Sequence, residues 1–234
     1  MTDIEEPIRP RSIRSFVKRS GRITTGQIKA RETMGKDFLI DYAPQLLNMN
    51  EAFRGHIAPV VLEIGFGMGE ATAAIAQTLN HLNFLCCEVH DPGVGALLKR
   101  VGEFDIKNIR IIQHDAVQVL EHMIAPHSLE GVHIFFPDPW HKKKHNKRRL
   151  IQEPFIKSVV DKLKPGGYIH CATDWEAYAV QILEVLTQSP SLANTSEVPS
   201  GYATKPHYRP LTKFENRGLK LGHGVWDLVF QKKS

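Results

Sequence analysis

The stretch VVLEIGFGMGEATAAIAQTL, residues 60–79, indicates the fold of this 234-residue chain. Its apolar start, VVLEI, is typical of a strand that is buried on both sides. Gly65, Gly67 and Gly69 supply a turn, and the alanine-rich run that follows them favours a helix. A strand, a glycine loop and a helix in this order are the first unit of an α/β fold.

Four more units of the same kind follow along the chain. The predicted strands are NFLCCEV (83–89), IRIIQHD (109–115), VHIFF (132–136) and YIHCAT (168–173), and a stretch with helical character follows each of them. Five such units predict a parallel sheet with helices on both faces. Residues 34–54 predict one or two short helices before the sheet, and VWDLVFQ (225–231) predicts a closing strand.

Size and charge limit the kinds of protein that this chain can be. A chain of 234 residues, 42% of them hydrophobic, can bury one sizeable core, so we expect one folded domain over residues 34–234. The net charge of +5 is concentrated in residues 1–36 and 141–149, which permits a nucleic-acid partner. Residues 1–33 have few apolar side chains and no sustained period, which predicts a mobile basic N-terminal arm.

The chain has no feature of a membrane or secreted protein. No apolar run approaches the length of a membrane span, and the N-terminus lacks the apolar segment of a signal peptide. Cys86, Cys87 and Cys171 lie in apolar runs, which favours buried, reduced thiols over disulfides or metal ligands. We therefore expect a cytoplasmic protein, a monomer or homodimer with no membrane partner and no obligate protein partner.

The most unusual stretch is FFPDPWHKKKHNKRR, residues 135–149. Pro137 and Pro139 exclude a strand interior or a helix interior and predict a stiff loop that holds Asp138 and Trp140. Six basic residues follow within the same stretch, a density of charge that suits a polyanion. For Trp140 two interpretations stay open, a platform that stacks on RNA bases or an anchor in the core. The histidines of this stretch lack companion ligands, so no metal site is predicted.

An acidic residue follows or ends each of the five predicted strands. Carboxylates suit a cation, ribose hydroxyls and the N–H groups of a base better than they suit phosphates. Glu70, where a dinucleotide site prefers a third glycine, argues against a pyrophosphate. Glu88 is placed for ribose hydroxyls and Asp115 for an adenine amino group, so S-adenosylmethionine fits best. The five acids are Glu63, Glu88, Asp115, Asp138 and Asp174.

The motifs LEIGFGMG, EVH, HDA, FFPDPWHKKKHNKRR, ATDWE and TKFENRG, with LGHGVWDL near the end, resemble the bacterial tRNA (guanine-N7)-methyltransferase family over roughly residues 34–231. The resemblance implies a Rossmann-like class I methyltransferase, with a doubly wound, mostly parallel sheet of seven strands and an antiparallel last strand. It also implies S-adenosylmethionine as cofactor, no metal, tRNA as partner, and formation of 7-methylguanosine at position 46 in the tRNA variable loop. The pair Cys86-Cys87 departs from the family pattern and adds bulk before Glu88.

The resemblance also implies roles for individual residues. Asp138 is expected to be the catalytic residue. The cofactor is expected to contact Glu63, Gly65, Gly67, Glu88, Asp115 and Asp138. The substrate nucleotide is expected to contact Lys142, Asp174, Thr212, Lys213, Phe214 and Glu215, and the RNA backbone is expected to contact Lys144, Lys147, Arg148 and Arg149.

Two other functions are compatible with parts of the sequence. The Pro-Asp-Pro-Trp loop is faintly similar to the loop of amino-methyltransferases that act on DNA bases or protein, although the interposed acid and the basic run argue against them. A non-enzymatic RNA-binding α/β protein would use the basic loop alone, but such a protein has no use for five acids at strand ends.

Overall fold

The computed structural model describes residues 15–17, 21–212, 215–216, 222 and 224–234. In this part of the chain the helices and strands alternate as the sequence predicts. The strands are β1 Leu39–Ile40, β2 Val60–Ile64, β3 Asn83–Cys87, β4 Ile109–Ile112, β5 Leu129–Phe135, β6 Leu163–Thr173, β7 Leu192–Asn194 and β8 Trp226–Lys232. The helices are α1 Thr25–Phe38, α2 Met49–Ala52, α3 Glu70–Thr78, α4 Asp91–Glu103, α5 Ala116–His122, α6 Glu153–Lys162 and α7 Glu176–Gln188, with a 3-10 helix at Lys143–Arg148.

The described strands form one sheet in the order β1-β4-β3-β2-β5-β6-β8-β7. The pairs from β1 to β6 are parallel, and β8 runs antiparallel to both β6 and β7. The predicted mostly parallel sheet with an antiparallel last strand is confirmed, but the sheet has eight strands and not seven. The additional strand is β1, two residues long, which pairs with β4 at the edge.

Two apolar layers cover the sheet, one on each face. On one face Val61 and Phe84 pack with residues of α1, α3 and α4. On the other face Leu62 and Leu85 pack with residues of α5, α6 and α7. The fold is therefore doubly wound. Because the chain passes from β2 outward to β3 and β4 and then returns to β5, the strand order reverses between β2 and β5, which is where such sheets bind ligands.

Helix α1 corrects the boundary that the sequence suggests for the N-terminal arm. It begins at Thr25, inside the segment assigned to the arm, and Thr24 and Gln27 form a capping box at its start. Gln27 packs closely on α4, since a Cβ built on Gly95 would lie 2.7 Å from the Gln27 Cβ. No apolar period marks this helix in the sequence, because α1 buries few residues and these include the polar Gln27. The structure of residues 1–14 and 18–20 lies outside the described residues.

The three cysteines are free and buried, as predicted. In the described part of the chain, no helix has both the length and the apolar character that a bilayer crossing requires.

Candidate active site

Two cavities open at the carboxyl ends of the strands, beside the place where the strand order reverses. The first encloses about 330 Å³ and brings together the predicted cofactor residues Glu88, Asp115 and Asp138. The second encloses about 600 Å³ and is lined by residues of the glycine loop and by Glu63, Arg209 and Thr212. Gly65 and Phe136 line both cavities, so the two are neighbours.

The glycine loop is open toward the cavities at two of its three glycines. Gly65, Gly67 and Gly69 have φ values of 75°, 55° and 70°, in the region that favours glycine. A Cβ built on Gly65 or Gly67 would meet nothing within 4 Å, whereas one on Gly69 would lie 2.8 Å from the Leu97 Cβ. Gly69 therefore serves the packing of α3 on α4, while Gly65 and Gly67 leave room for a ligand to approach the backbone.

Glu88 fixes the glycine loop and lines the first cavity at the same time. The Gly67 amide donates a hydrogen bond of 2.9 Å to Glu88 Oε2, and the Val89 and His90 amides donate bonds of 2.7 and 3.1 Å to Oε1. Each carboxylate oxygen has two lone pairs, so Glu88 keeps the capacity to accept from a ligand hydroxyl. Cys87, which precedes it, is buried and also lines this cavity.

Glu63 lies at the base of the second cavity with little access to solvent. Thr72 Oγ1 donates a hydrogen bond of 2.9 Å to Glu63 Oε1, and Cys86 Sγ lies 4.0 Å from Oε2. Burial raises the pKa of the Glu63 carboxyl to about 7, the Thr72 bond opposes this shift, and the nearby Glu88 adds to it. This carboxyl therefore titrates near neutral pH and is well placed to respond to a cationic ligand.

Asp138 sits in a loop whose two ends are conformationally unusual. Phe136 and Trp140 have backbone φ values of 49° and 46°, which residues other than glycine seldom adopt. They flank Pro137, Asp138 and Pro139. The Phe136 amide donates to the Ala172 carbonyl at 2.7 Å, and the Trp140 amide donates to Asp138 Oδ1 at 3.1 Å. Such backbone strain of about 1–3 kcal/mol per residue persists where the surrounding structure fixes the chain, as at functional sites. The two prolines lie in a loop between β5 and the 3-10 helix, outside any strand or helix interior, as predicted.

The contacts of the Trp140 ring match neither of the two interpretations, a free platform for RNA bases or an anchor in the core. Its Nε1 donates a hydrogen bond of 2.9 Å to the carbonyl of Ser15, and the Arg148 guanidinium lies 3.9 Å above the ring centre. The indole thus anchors the loop against residue 15, outside the core, and one face of its ring is covered by Arg148. Ser15, Phe16 and Val17 line the first cavity.

One predicted RNA contact is corrected by its burial. Lys144 and Lys147 are exposed in the 3-10 helix, but Arg149 is 5% exposed and points inward. Its guanidinium donates to the Pro139 carbonyl at 2.8 Å and to Gln181 Oε1 at 2.6 Å, and it stacks on Tyr178. Arg149 therefore ties the basic loop to α7 and is not available to a phosphate. Of the other predicted backbone contacts, Lys144 and Lys147 are exposed and Arg148 is half-buried, and Lys142, a predicted contact of the substrate nucleotide, is exposed as well.

The predicted substrate residues fall into different surroundings. Asp174 directly follows β6, next to the end of β5, and is half-buried. Thr212 lines the second cavity, and its Oγ1 accepts a bond of 3.1 Å from the Glu215 amide. Glu215 is 4% exposed, and both its oxygens are bound by Arg209. Lys213 and Phe214 lie outside the described residues.

Arg209 belongs to the site, although the sequence did not predict its role. Its guanidinium makes two hydrogen bonds to Glu215, at 2.8 and 2.9 Å, and two to Asp227, at 2.7 and 2.8 Å. Asp227 Oδ1 also accepts from His170 Nε2 at 2.8 Å. Burial works to raise the pKa of Asp227, but the bonds from His170 and Arg209 prevail and lower it. An acid within the apolar strand VWDLVFQ was the available signal, since a buried carboxylate requires a partner.

Among the described residues no group of three or more His, Cys, Asp or Glu side chains has the arrangement of a metal site.

Comparisons with known proteins identify the family of the chain. The Methyltransf_4 family model, described as "Putative methyltransferase", matches residues 57–228. A protein of Acidovorax sp. strain JS42, named tRNA (guanine-N(7)-)-methyltransferase, is 67% identical over 96% of this chain and 88% of its own length. The chain belongs to this methyltransferase family. A protein of Cupriavidus metallidurans with the same name is 59% identical over 98% of this chain and 87% of its own length. Membership of an enzyme family sets aside the non-enzymatic alternative.

Solved structures support the fold. The 16S rRNA methyltransferase KamB superposes with a TM-score of 0.57 at 13% identity, covering 81% of this chain and 96% of that one. TrmN of Thermus thermophilus gives a TM-score of 0.51 at 14% identity, covering 77% of this chain and 48% of that one. At such low identities the likeness concerns the fold, which is the Rossmann-like methyltransferase fold that the sequence predicts.

Proposed function

We propose that the protein transfers the methyl group of S-adenosylmethionine to N7 of a guanine in tRNA. The observation that carries this proposal is the position of Asp138. Its stiff loop lines a cavity that also contains Glu88 and Asp115, and it leads directly into the exposed basic segment. The names of the relatives agree with this reaction.

The residues of the two cavities fit this cofactor. The open space at Gly65 and Gly67 admits a ligand without phosphates close to the backbone, and Glu88 and Asp115 offer acceptors for ribose hydroxyls and an adenine amino group. Glu63 provides a carboxylate for the cationic end of the ligand. When bound, S-adenosylmethionine supplies an electrophilic methyl group. The chain's own contribution is to hold the two reactants in line, which can account for a large part of the acceleration.

Asp138 is proposed to act on the guanine. N7 of guanine already has an available lone pair, so methylation requires no strong base. The product purine carries a positive charge, and a fixed carboxylate beside it stabilises the charge as it develops in the transition state. The positive φ values at Phe136 and Trp140 hold this carboxylate in place before the substrate arrives.

Asp174 and the segment that begins at Thr212 are proposed to bind the guanine edge. Asp174 follows the strand next to the one that leads to Asp138, so both acids lie at the same edge of the sheet. A carboxylate can accept from the N1–H and N2–H groups of guanine. Glu215 is buried against Arg209, so we propose that it acts mainly by holding Thr212 at the second cavity. Lys213 and Phe214 remain proposed contacts by resemblance.

The exposed part of the basic segment is proposed to bind the tRNA backbone. Lys142, Lys144 and Lys147 are exposed and Arg148 is half-buried, and the group follows the Asp138 loop without interruption. Each phosphate contact that is lost should weaken binding and reduce its dependence on salt. We further propose that the target is position 46 in the variable loop and that the reaction takes place in the cytoplasm.

The proposal is tested by incubating the protein with an unmodified tRNA transcript and S-adenosylmethionine and analysing the nucleosides by mass spectrometry. We expect 7-methylguanosine, at one position in the variable loop when the RNA is digested to oligonucleotides. Parallel reactions with DNA and with protein acceptors test the amino-methyltransferase alternative. Methylation of DNA or protein together with unmodified tRNA would overturn the proposal.

A further inference from the structure

One large aromatic side chain near the candidate active site remains exposed. Among the described Phe, Tyr and Trp residues, only Phe104 and Trp175 are exposed, at 56% and 41%. An indole combines a large apolar ring with a polar N–H, and tryptophan is enriched where proteins meet their partners. Phe104 and Trp175 lie at opposite ends of the strands. Phe104 ends α4 near the amino ends of the strands, whereas Trp175 follows the carboxyl end of β6.

Trp175 occupies a defined position at the edge that carries the proposed site. It comes two residues after the end of β6 and one residue after Asp174, and it caps α7. Its amide donates a hydrogen bond of 3.2 Å to Thr173 Oγ1, which helps to fix the backbone at the ring. The imidazole of His141 lies 6.1 Å from the indole, so Trp175 is adjacent to the start of the basic segment.

The surroundings of Trp175 indicate the chemistry of its partner. Proteins bind single-stranded nucleic acid by combining cationic side chains, which follow the backbone, with aromatic rings on which bases stack. Lys142 and Lys144 supply exposed positive charge in the segment that begins beside His141. Trp140 is less suited to stacking because Arg148 covers its ring and Ser15 holds its Nε1.

We propose that Trp175 stacks on an unpaired nucleobase of the bound tRNA, next to the guanine that is methylated. This inference rests on the proposed function and adds to it a residue that holds the RNA strand. Stacking on one base fixes the strand on the side of Asp174 while the lysines neutralise its phosphates. The contact requires the flat face of an aromatic ring, so an aliphatic side chain of similar size should not replace it.

The first test measures the affinity for an unmodified tRNA transcript by fluorescence anisotropy. Trp175→Ala and Trp175→Leu are expected to weaken binding about 5- to 150-fold, the range for loss of one base-aromatic stack. Trp175→Phe should stay within roughly threefold of the unsubstituted protein because it keeps a π face. Phe104→Ala, the matched control at the opposite end of the strands, should not change the affinity for tRNA. Equal affinity for Trp175→Ala and the unsubstituted protein, or for Trp175→Leu and Trp175→Phe, would overturn the inference.

A second measurement separates stacking from a structural role of the indole. Abasic substitutions are placed in turn at the nucleotides that flank the target guanine. At one of these positions, the abasic site should weaken binding of the unsubstituted protein about as much as Trp175→Ala weakens binding to intact tRNA. Combining Trp175→Ala with the abasic site at that position should weaken binding little further. A merely structural indole would leave the two losses additive at every position, which would refute the inference.

The same tRNA distinguishes failure of this inference from failure of the proposed function. If the unsubstituted protein forms no 7-methylguanosine, the proposed function is wrong. If it forms 7-methylguanosine while Trp175→Ala binds tRNA normally, the proposed function stands and the inference on Trp175 is wrong.

Discussion

Arg209 and Glu215 are joined by two parallel hydrogen bonds of 2.8 and 2.9 Å in a part of the protein that solvent hardly reaches. The same guanidinium also binds Asp227 on β8, and its carbon lies 5.6 Å from the centre of the Phe136 ring. One side chain thus connects three parts of the site: the segment of Thr212, the antiparallel strand and the start of the Asp138 loop. Bidentate pairs of this kind fix geometry as well as contribute energy.

The Arg209 cluster predicts a large effect on stability. Arg209→Ala leaves the buried carboxylates of Glu215 and Asp227 without their partner, so the free energy of unfolding should fall by about 3–5 kcal/mol. Urea unfolding followed by circular dichroism measures this change. Arg54→Ala removes an exposed ion pair with Asp37, which solvent screens, and should cost far less than Arg209→Ala. Similar small losses for both variants would show that the cluster does not hold this part of the fold together.

Substitution of Arg149 should affect stability, whereas substitution of Lys144 should affect tRNA binding. Arg149→Ala should destabilise the fold by about 2–4 kcal/mol, because it leaves the Pro139 carbonyl and Gln181 without their donors. Lys144→Ala should leave the unfolding temperature almost unchanged but weaken tRNA binding and lower its salt slope by about one. Anisotropy at several salt concentrations, with thermal unfolding alongside, separates the two effects. A stable Arg149→Ala with a reduced salt slope would restore the phosphate role that burial argues against.

Glu63 predicts a dependence of stability on pH. Its pKa is raised from 4.5 to about 7, so between these values the folded protein holds a proton that the unfolded chain releases. The contribution of this group to stability is complete below pH 4.5 and is lost as the pH rises through 7. In Glu63→Gln the side chain is neutral at every pH in this range, and its amide oxygen can still accept the hydrogen bond from Thr72.

The two proteins should therefore unfold alike at low pH. Above pH 7 the Gln variant should be more stable, by up to about 3 kcal/mol. Urea unfolding of both proteins across the pH range, without added cofactor, tests this. A difference that is constant with pH would show that Glu63 does not titrate as its burial implies.

The sequence was sufficient for the elements that depend on local pattern. The alternation of apolar strands and helices predicted the parallel sheet. Of the five acids noted at strand ends, Glu88, Asp115 and Asp138 line the first cavity, whereas Glu63 lines the second and Asp174 lines neither. No comparable sequence pattern predicts the direction of a side chain in an irregular loop. Arg148 and Arg149 are neighbours of identical chemistry, yet one covers Trp140 and the other is buried under the loop.

The remaining differences have related causes. Helix α1 was missed because it is mostly polar and is held by its capping box and by contact with α4. The Arg209 cluster joins residues of two separate segments, and only the fold brings them together. The position of Asp227 in an apolar strand indicates that the carboxylate has a buried partner, but the sequence alone does not identify that partner.

The role of Asp138 can be tested by a substitution that preserves its shape. Asp138→Asn removes the charge, while the amide oxygen can still accept from the Trp140 amide. The acid Asp161 on α6, whose side chain is about half exposed, provides a matched control in Asp161→Asn. Each variant is assayed for 7-methylguanosine under saturating tRNA and S-adenosylmethionine, and calorimetry measures cofactor affinity.

The rate of 7-methylguanosine formation by Asp138→Asn, at saturating tRNA and cofactor, decides whether the Asp138 carboxylate acts in the reaction. We expect the rate to fall about 10²- to 10³-fold, because the variant lacks the charge that stabilises the cationic purine. The Asp161→Asn control should retain the full rate, and Asp138→Asn should still bind tRNA. Turnover by Asp138→Asn within a few-fold of the unsubstituted protein would contradict the claim that this carboxylate acts in the reaction.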